Sequence, residues 1–164
     1  MNASTGLLLI RVVLGLTLAA HGYNKFFGGG RIAGTARWFD SMGMKPNGRI
    51  HAILAATTEV GSGLLFAVGL LTPLAAAGFV GVMVVAGWTH RDNGFFIVKD
   101  GWEYNLVLSV VPVGVATIGA GRYSLDHALD LDFSPTVGFL IAAGLGLASG
   151  VGLMVACYRP PPPS

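Results

Sequence analysis

Apolar positions fall into five long runs with polar punctuation between them: residues 7–23, 52–71, 74–89, 104–119 and 135–158. A spanning helix needs about 20 apolar residues, or somewhat fewer where the bilayer thins. The second and fifth runs meet this length. The other three are short unless their polar flanks continue the helix, and a soluble bundle is the competing reading for those three. The punctuation supports the boundaries. Thr72-Pro73 predicts a tight hairpin, and Ser134-Pro135 predicts a helix start with serine as cap. Tyr158-Arg159 reads as an interfacial end. Pro160 to Pro163 then predict a stiff tail that cannot be helical.

The segment between the first two runs is not a plain linker. In "FFGGGRIAGTARWFDSMGMKPNG", Ile32, Trp38, Phe39 and Met42 fall on one face of a short predicted helix, with Arg31 and Arg37 at its margins. Two readings remain open, an interfacial helix at headgroup level and an amphipathic connector that caps the bundle. The loops also predict orientation. Lys25, Arg31, Arg37, Lys45, Arg49, Arg91, Lys99 and Arg159 fall on one side of a five-span chain, and Arg122 on the other. The positive-inside rule then places the N-terminus outside and the C-terminus in the cytoplasm of a plasma-membrane protein.

Composition settles the solvent. Of 164 residues, 53% are hydrophobic and 11% charged. That is under half the usual charged share of a soluble domain, about 25%. Mean hydropathy is +0.68. The 25 glycines suit helices that approach closely in lipid. The fold class is therefore all-α, an integral membrane helical bundle. In the fifth run, Gly146-x-x-x-Gly150 fits packing alongside the bundle or a homo- or hetero-oligomer contact. A net charge of +2 gives no reason to expect a nucleic-acid partner. The lone Cys157 excludes an internal disulfide and C-x-x-C chemistry, and reads as an apolar helix residue. Residues 1–6 hold no Lys or Arg, so the start reads as a retained first span.

The chemistry must come from ionisable side chains at membrane depth, each costly there unless partnered. Arg11, His21 and Lys25 share a helical sector of about 80°. Glu59 lies inside the second run, His90 ends the third, and Glu103 and Asn105 open the fourth. Counting from the apolar edges puts Arg11 and Glu59 about 6 Å apart in depth. That predicts an Arg11–Glu59 pair forming the floor of a polar pocket. His21, Lys25, His90, Trp102, Glu103 and Asn105 would complete it, with Trp102 and Tyr104 as walls. The competing reading is a structural polar pair with routine interfacial aromatics. The histidines and glutamates match no standard metal spacing, so no metal is expected.

These residues resemble the DoxX family of small membrane proteins. The resemblance rests on Arg11, Gly15, His21-Gly22, Lys25-Phe26-Phe27, Gly28 to Gly30, Gly34, Phe39 and Gly43. It continues through Glu59, Gly61, Gly63, Asn93 to Phe96, Gly101 to Leu106, and Gly119 to Asp126. It implies a four-helix membrane unit over residues 1–126. An acidic loop at 127–134, an added transmembrane helix at 135–158 and a Pro-rich tail at 159–164 follow, from hydropathy alone. The family's name comes from a quinone-linked thiosulfate-oxidising membrane enzyme. Some members are associated with a superoxide dismutase and a sulfurtransferase in redox defence.

Three functions compete. The first is a redox-associated component that binds a quinone or a sulfur species, as a possible subunit of a quinone-linked oxidoreductase with no intrinsic cofactor. The second is a non-catalytic scaffold docking redox or envelope enzymes. The third is a small transporter or lipid-binding protein.

Overall fold

The computed structural model describes residues 3–160. Most of the predicted Pro tail, residues 161–164, lies outside the described residues. The main helices are α1 (Ala3–Phe27), α2 (Arg31–Ser41), α3 (Gly48–Val68), α4 (Thr72–His90) and α5 (Glu103–Ile118). A single turn, α6 (Leu125–Ala128), and a C-terminal rod, α7 (Pro135–Cys157), complete the chain. Four of these, α1, α3, α4 extended to Asn93, and α7, are long and apolar enough to cross a membrane. The fifth, α5, is apolar but has only 16 residues. The added C-terminal stretch is thus a helix of spanning length.

Local chemistry sets the helix ends. Asn47 caps α3 by accepting from Ile50 N at 3.1 Å, which satisfies an otherwise orphaned donor. Gly69 ends α3 in the left-handed region, at φ 69°. Pro73 then sits in the first turn of α4, as the Thr72-Pro73 hairpin predicts. Ser134 caps α7 by accepting from Val137 N at 3.4 Å. Between Leu140 and Leu145 that rod widens into a π turn, where Ala142 is buried against the bundle.

Glycines set the packing. A Cβ on Gly15 would lie 2.5 Å from Gly63 O and 2.7 Å from Ala67 N. A Cβ on Gly22 would lie 2.6 Å from Ala56 O. So α1 and α3 run antiparallel in backbone contact, with residue 15 level with about 65 and residue 22 level with about 57. Gly15→Val is expected to destabilise by about 1–3 kcal/mol through overpacking. Gly61→Ala, which meets open space, is expected to be neutral or slightly stabilising. Thermal unfolding of the two variants in one detergent compares them directly.

Helix α4 is the hub, packing on α3, α5 and α7. Its core carries Phe79, Ala75, Ala76 and Met83 against Leu18, Phe66 and Leu108. Gly146 and Gly150 of α7 lie against Val80 and Val84 of α4. That small-residue face is therefore taken within the chain, and an oligomer contact through α7 would use its other faces.

The predicted connector is α2. It buries Phe39 and Ala36 with Met44, Ala52 and Val85, and Ile32, Met42 and Tyr158 pack on that cluster. Trp38 is 43% exposed and meets the Phe39 ring at 5.0 Å, at the rim of the cavity described below. So α2 caps one end of the bundle, with Phe39 as its anchor. The tip of α7 is stitched to the same end. Lys45 N donates to Cys157 O at 2.8 Å, and Arg159 N donates to Gly43 O at 2.9 Å.

Candidate functional site

Toward the α2 end, the helices frame a half-open cavity of about 530 Å³. Sites for small organic ligands span roughly 300–1,000 Å³. Residues of α1, α2, α3, α4, α5 and α7 line it. Most of the wall is apolar, with Leu18, Leu54, Val82, Val85 and Leu153 prominent. Its lining holds one lysine, Lys25, and one carboxylate, Glu59, with the histidines His21, His51 and His90.

Lys25 and Glu59 form an ion pair. Lys25 Nζ lies 2.7 Å from Glu59 Oε1 and 2.6 Å from Oε2. Glu59 is 4% exposed. Its position follows from the α1–α3 register, because residue 59 is level with about residue 21, one turn from Lys25. Two of the three ammonium protons go to the carboxylate, and the third is available to an acceptor in the cavity. Tyr104 Oη sits 3.3 Å from His21 Nε2. Asn105 Nδ2 points at Met83 Sδ, 3.5 Å away, a weak acceptor. His90 also borders the cavity.

The predicted Arg11–Glu59 pair does not form. From the glycine register, Arg11 lies level with Gly69, about 15 Å along the bundle from Glu59. Arg11 is fully buried there and donates through Nη2 to the carbonyl of Tyr123. A Cβ on Gly69 would overlap its guanidinium. Asp126 is the neighbouring carboxylate, and it caps α4 from afar by accepting from Leu71 N at 2.6 Å and Thr72 N at 2.9 Å. The floor of the cavity is Lys25–Glu59, and Arg11 belongs to a second polar cluster at the opposite end of the bundle.

Of the other sequence-derived positions, His21, Lys25, Glu59, His90 and Asn105 line the cavity, as does the wall residue Tyr104. Trp102 and Glu103 are not among its lining residues. Glu103 Oε2 accepts from Ile97 N at 3.0 Å, and the Trp102 ring meets the Phe95 ring edge-on at 4.9 Å. Both hold the loop before α5. Sequence reasoning missed His51, Thr58 and Ser149, which also line the cavity. His51 is buried, with Nε2 2.8 Å from Lys45 O. A carbonyl can only accept, so that nitrogen carries the proton. The available signal is a histidine two turns before Glu59, ahead of the apolar edge at Ala52 yet inside α3, which starts at Gly48.

The family model for DoxX matches residues 6–92, more than half of the chain. The chain belongs to the DoxX family. The DoxX match holds α1 to α4, and with them the ion pair, His21 and His90. It ends before α5 and α7, so Tyr104, Asn105 and Ser149 are supplied to this DoxX cavity from outside the matched region. No curated protein and no solved structure matches the chain.

Proposed function

We propose that this DoxX protein binds a membrane quinone, with its ring against the Lys25–Glu59 pair and its apolar part along the cavity wall. One observation carries the reading: the lysine and the carboxylate lining a mostly apolar cavity cancel. A sulfur oxyanion would need uncompensated positive charge. Lys25 is neutralised by Glu59, and Arg11 is about 15 Å away. A neutral ligand with carbonyl acceptors needs only donors, and Lys25, Tyr104 and Asn105 supply them. The donor set therefore fits a quinone better than thiosulfate or sulfite.

A bound quinone would carry electrons, for which this chain has no group of its own. The chain's residues bind and orient the ring, exclude water with apolar walls, and hold protons beside it on Lys25, Tyr104 and His21. The enzyme that exchanges electrons lies outside the chain. A superoxide dismutase and a sulfurtransferase are the partners the family resemblance suggests. Orientation follows the same proposal. Every Lys and Arg except Arg11 and Arg122 lies at or beyond the Lys25 end of the bundle, and the end of α7 meets Lys45 there. That end faces the cytoplasm.

Equilibrium binding of a short-chain quinone to the purified protein in lipid nanodiscs tests the function. Wild type is expected to bind. Tyr104→Phe is expected to bind about tenfold more weakly, from one lost hydrogen bond of about 1 kcal/mol or more. Thiosulfate is expected not to compete. Absence of quinone binding by the folded wild type overturns the reading, as does displacement by thiosulfate. Solute uptake into vesicles by this chain alone would support the transporter alternative.

A further inference from the structure

Residues 94–102 join α4 to α5 and present apolar side chains outward. Phe96 is 61% exposed, Ile97 51% and Val98 87%. The loop is tightly built. Trp102 N donates to Gly94 O at 3.2 Å, Glu103 N to Phe95 O at 2.8 Å and Gly101 N to Phe96 O at 3.1 Å. Asn93 Nδ2 reaches Asp100 O at 3.1 Å, and the Glu103 carboxylate takes Ile97 N. Non-helical backbone survives near hydrocarbon only where its polar groups are satisfied within the protein. These bonds satisfy the N–H groups of Ile97 and of residues 99–103, and a placement at headgroup level leaves the others within reach of water.

Its depth follows from its neighbours. At 16 residues, α5 is about 24 Å long, some 6 Å short of a typical hydrocarbon core. Its first turn is level with His21, since Tyr104 touches that ring. Yet α1 continues to Phe27, about 9 Å further, with Tyr23 and Phe27 still facing outward. The apolar exterior therefore extends beyond the start of α5, and the loop occupies that level.

We propose that residues 95–98 are embedded in the headgroup–acyl boundary of the bilayer and complete the membrane crossing that α5 is too short to make. The occupant of this apolar face is lipid. Charge argues against headgroup selection. Arg91 is followed by Asp92, at 3.3 Å, and Lys99 by Asp100, so the loop's two cations are matched by two anions. Arg91 also lies over the Trp88 ring, at 4.3 Å, as suits an interfacial girdle. Burial of apolar surface drives the insertion, so zwitterionic lipid suffices.

Nitroxide labels at Phe96→Cys, Ile97→Cys and Val98→Cys, each in a Cys157→Ala background, test the placement in phosphatidylcholine bilayers. Val98 makes so little contact that its label leaves the fold intact. The labels are expected to collide several-fold more often with dissolved oxygen than with an aqueous nickel chelate, as a label at the outward Leu16 would. Nickel accessibility matching that of Asp92→Cys overturns the proposal and leaves the loop as a surface for a soluble partner. Embedding that appears only when anionic lipid is added overturns it equally.

Discussion

Lys25→Met is expected to cost about 3 kcal/mol of folding stability, and to cost far less when combined with Glu59→Gln. The pair is held at 2.6 Å, with the carboxylate 5% exposed and the ammonium side chain 25% exposed. Removing one partner of a buried pair leaves an uncompensated charge, a loss of about 3–5 kcal/mol. The partial exposure of Lys25 puts the figure at the lower end. Replacing both partners removes the stranded charge along with the attraction, so the double variant should recover most of the loss. Unfolding of wild type, both single variants and the double variant gives the coupling energy. If the two single losses simply add, the pair is not coupled and the floor of the cavity has been misread.

Arg11→Leu is expected to destabilise by about 1–3 kcal/mol, from a buried carbonyl left without its donor, and to act at the other end of the bundle. The guanidinium is fully buried between α1, the Gly69 turn and the segment leading into α6. Without it, the carbonyl of Tyr123 loses its donor and Asp126 loses the neighbouring positive charge. Asp126 in turn holds the first turn of α4. The effect should therefore spread to the α3–α4 hairpin, seen as faster hydrogen exchange at Leu71 and Thr72. Quinone binding by whatever fraction stays folded should be unchanged, because Arg11 does not touch the cavity. A selective loss of binding with normal stability would return Arg11 to the site.

The apolar runs and turn residues carry most of the architecture in plain view. Thr72-Pro73, Ser134-Pro135 and the aromatic face of α2 each act within a few residues, so local chemistry suffices to place them. The lateral register of α1 against α3 does not act locally. It is set where Gly15 meets Gly63 and Ala67, a contact between backbones that periodicity does not encode. Counting from apolar edges assumes that both helices end flush. Instead α3 begins at Gly48, beyond the level of Phe27, because α2 fills the space between them. That offset carried Glu59 from an expected depth about 6 Å from Arg11 to the level of His21, one turn from Lys25. The charges were legible, but the partner was not. Trp102 and Glu103 were displaced for a related reason. Tyr104 and Asn105, next in sequence, turn inward, while Trp102 caps α5 and Glu103, its first residue, turns its carboxylate back to the loop at Ile97 N.

The stitching of α7 to residues 43–45 has a consequence for biogenesis. The segment that secures the connector between α1 and α3 is made about 110 residues later than that connector. While the ribosome is still working, α2 must rest on α3 without the backbone bonds that later tie Lys45 to Cys157 and Gly43 to Arg159. The chamber's outer wall is therefore finished last, and a chain stopped near residue 134 would insert its first helices yet leave Phe39 and Met44 without the cover of Leu153, Met154 and Tyr158.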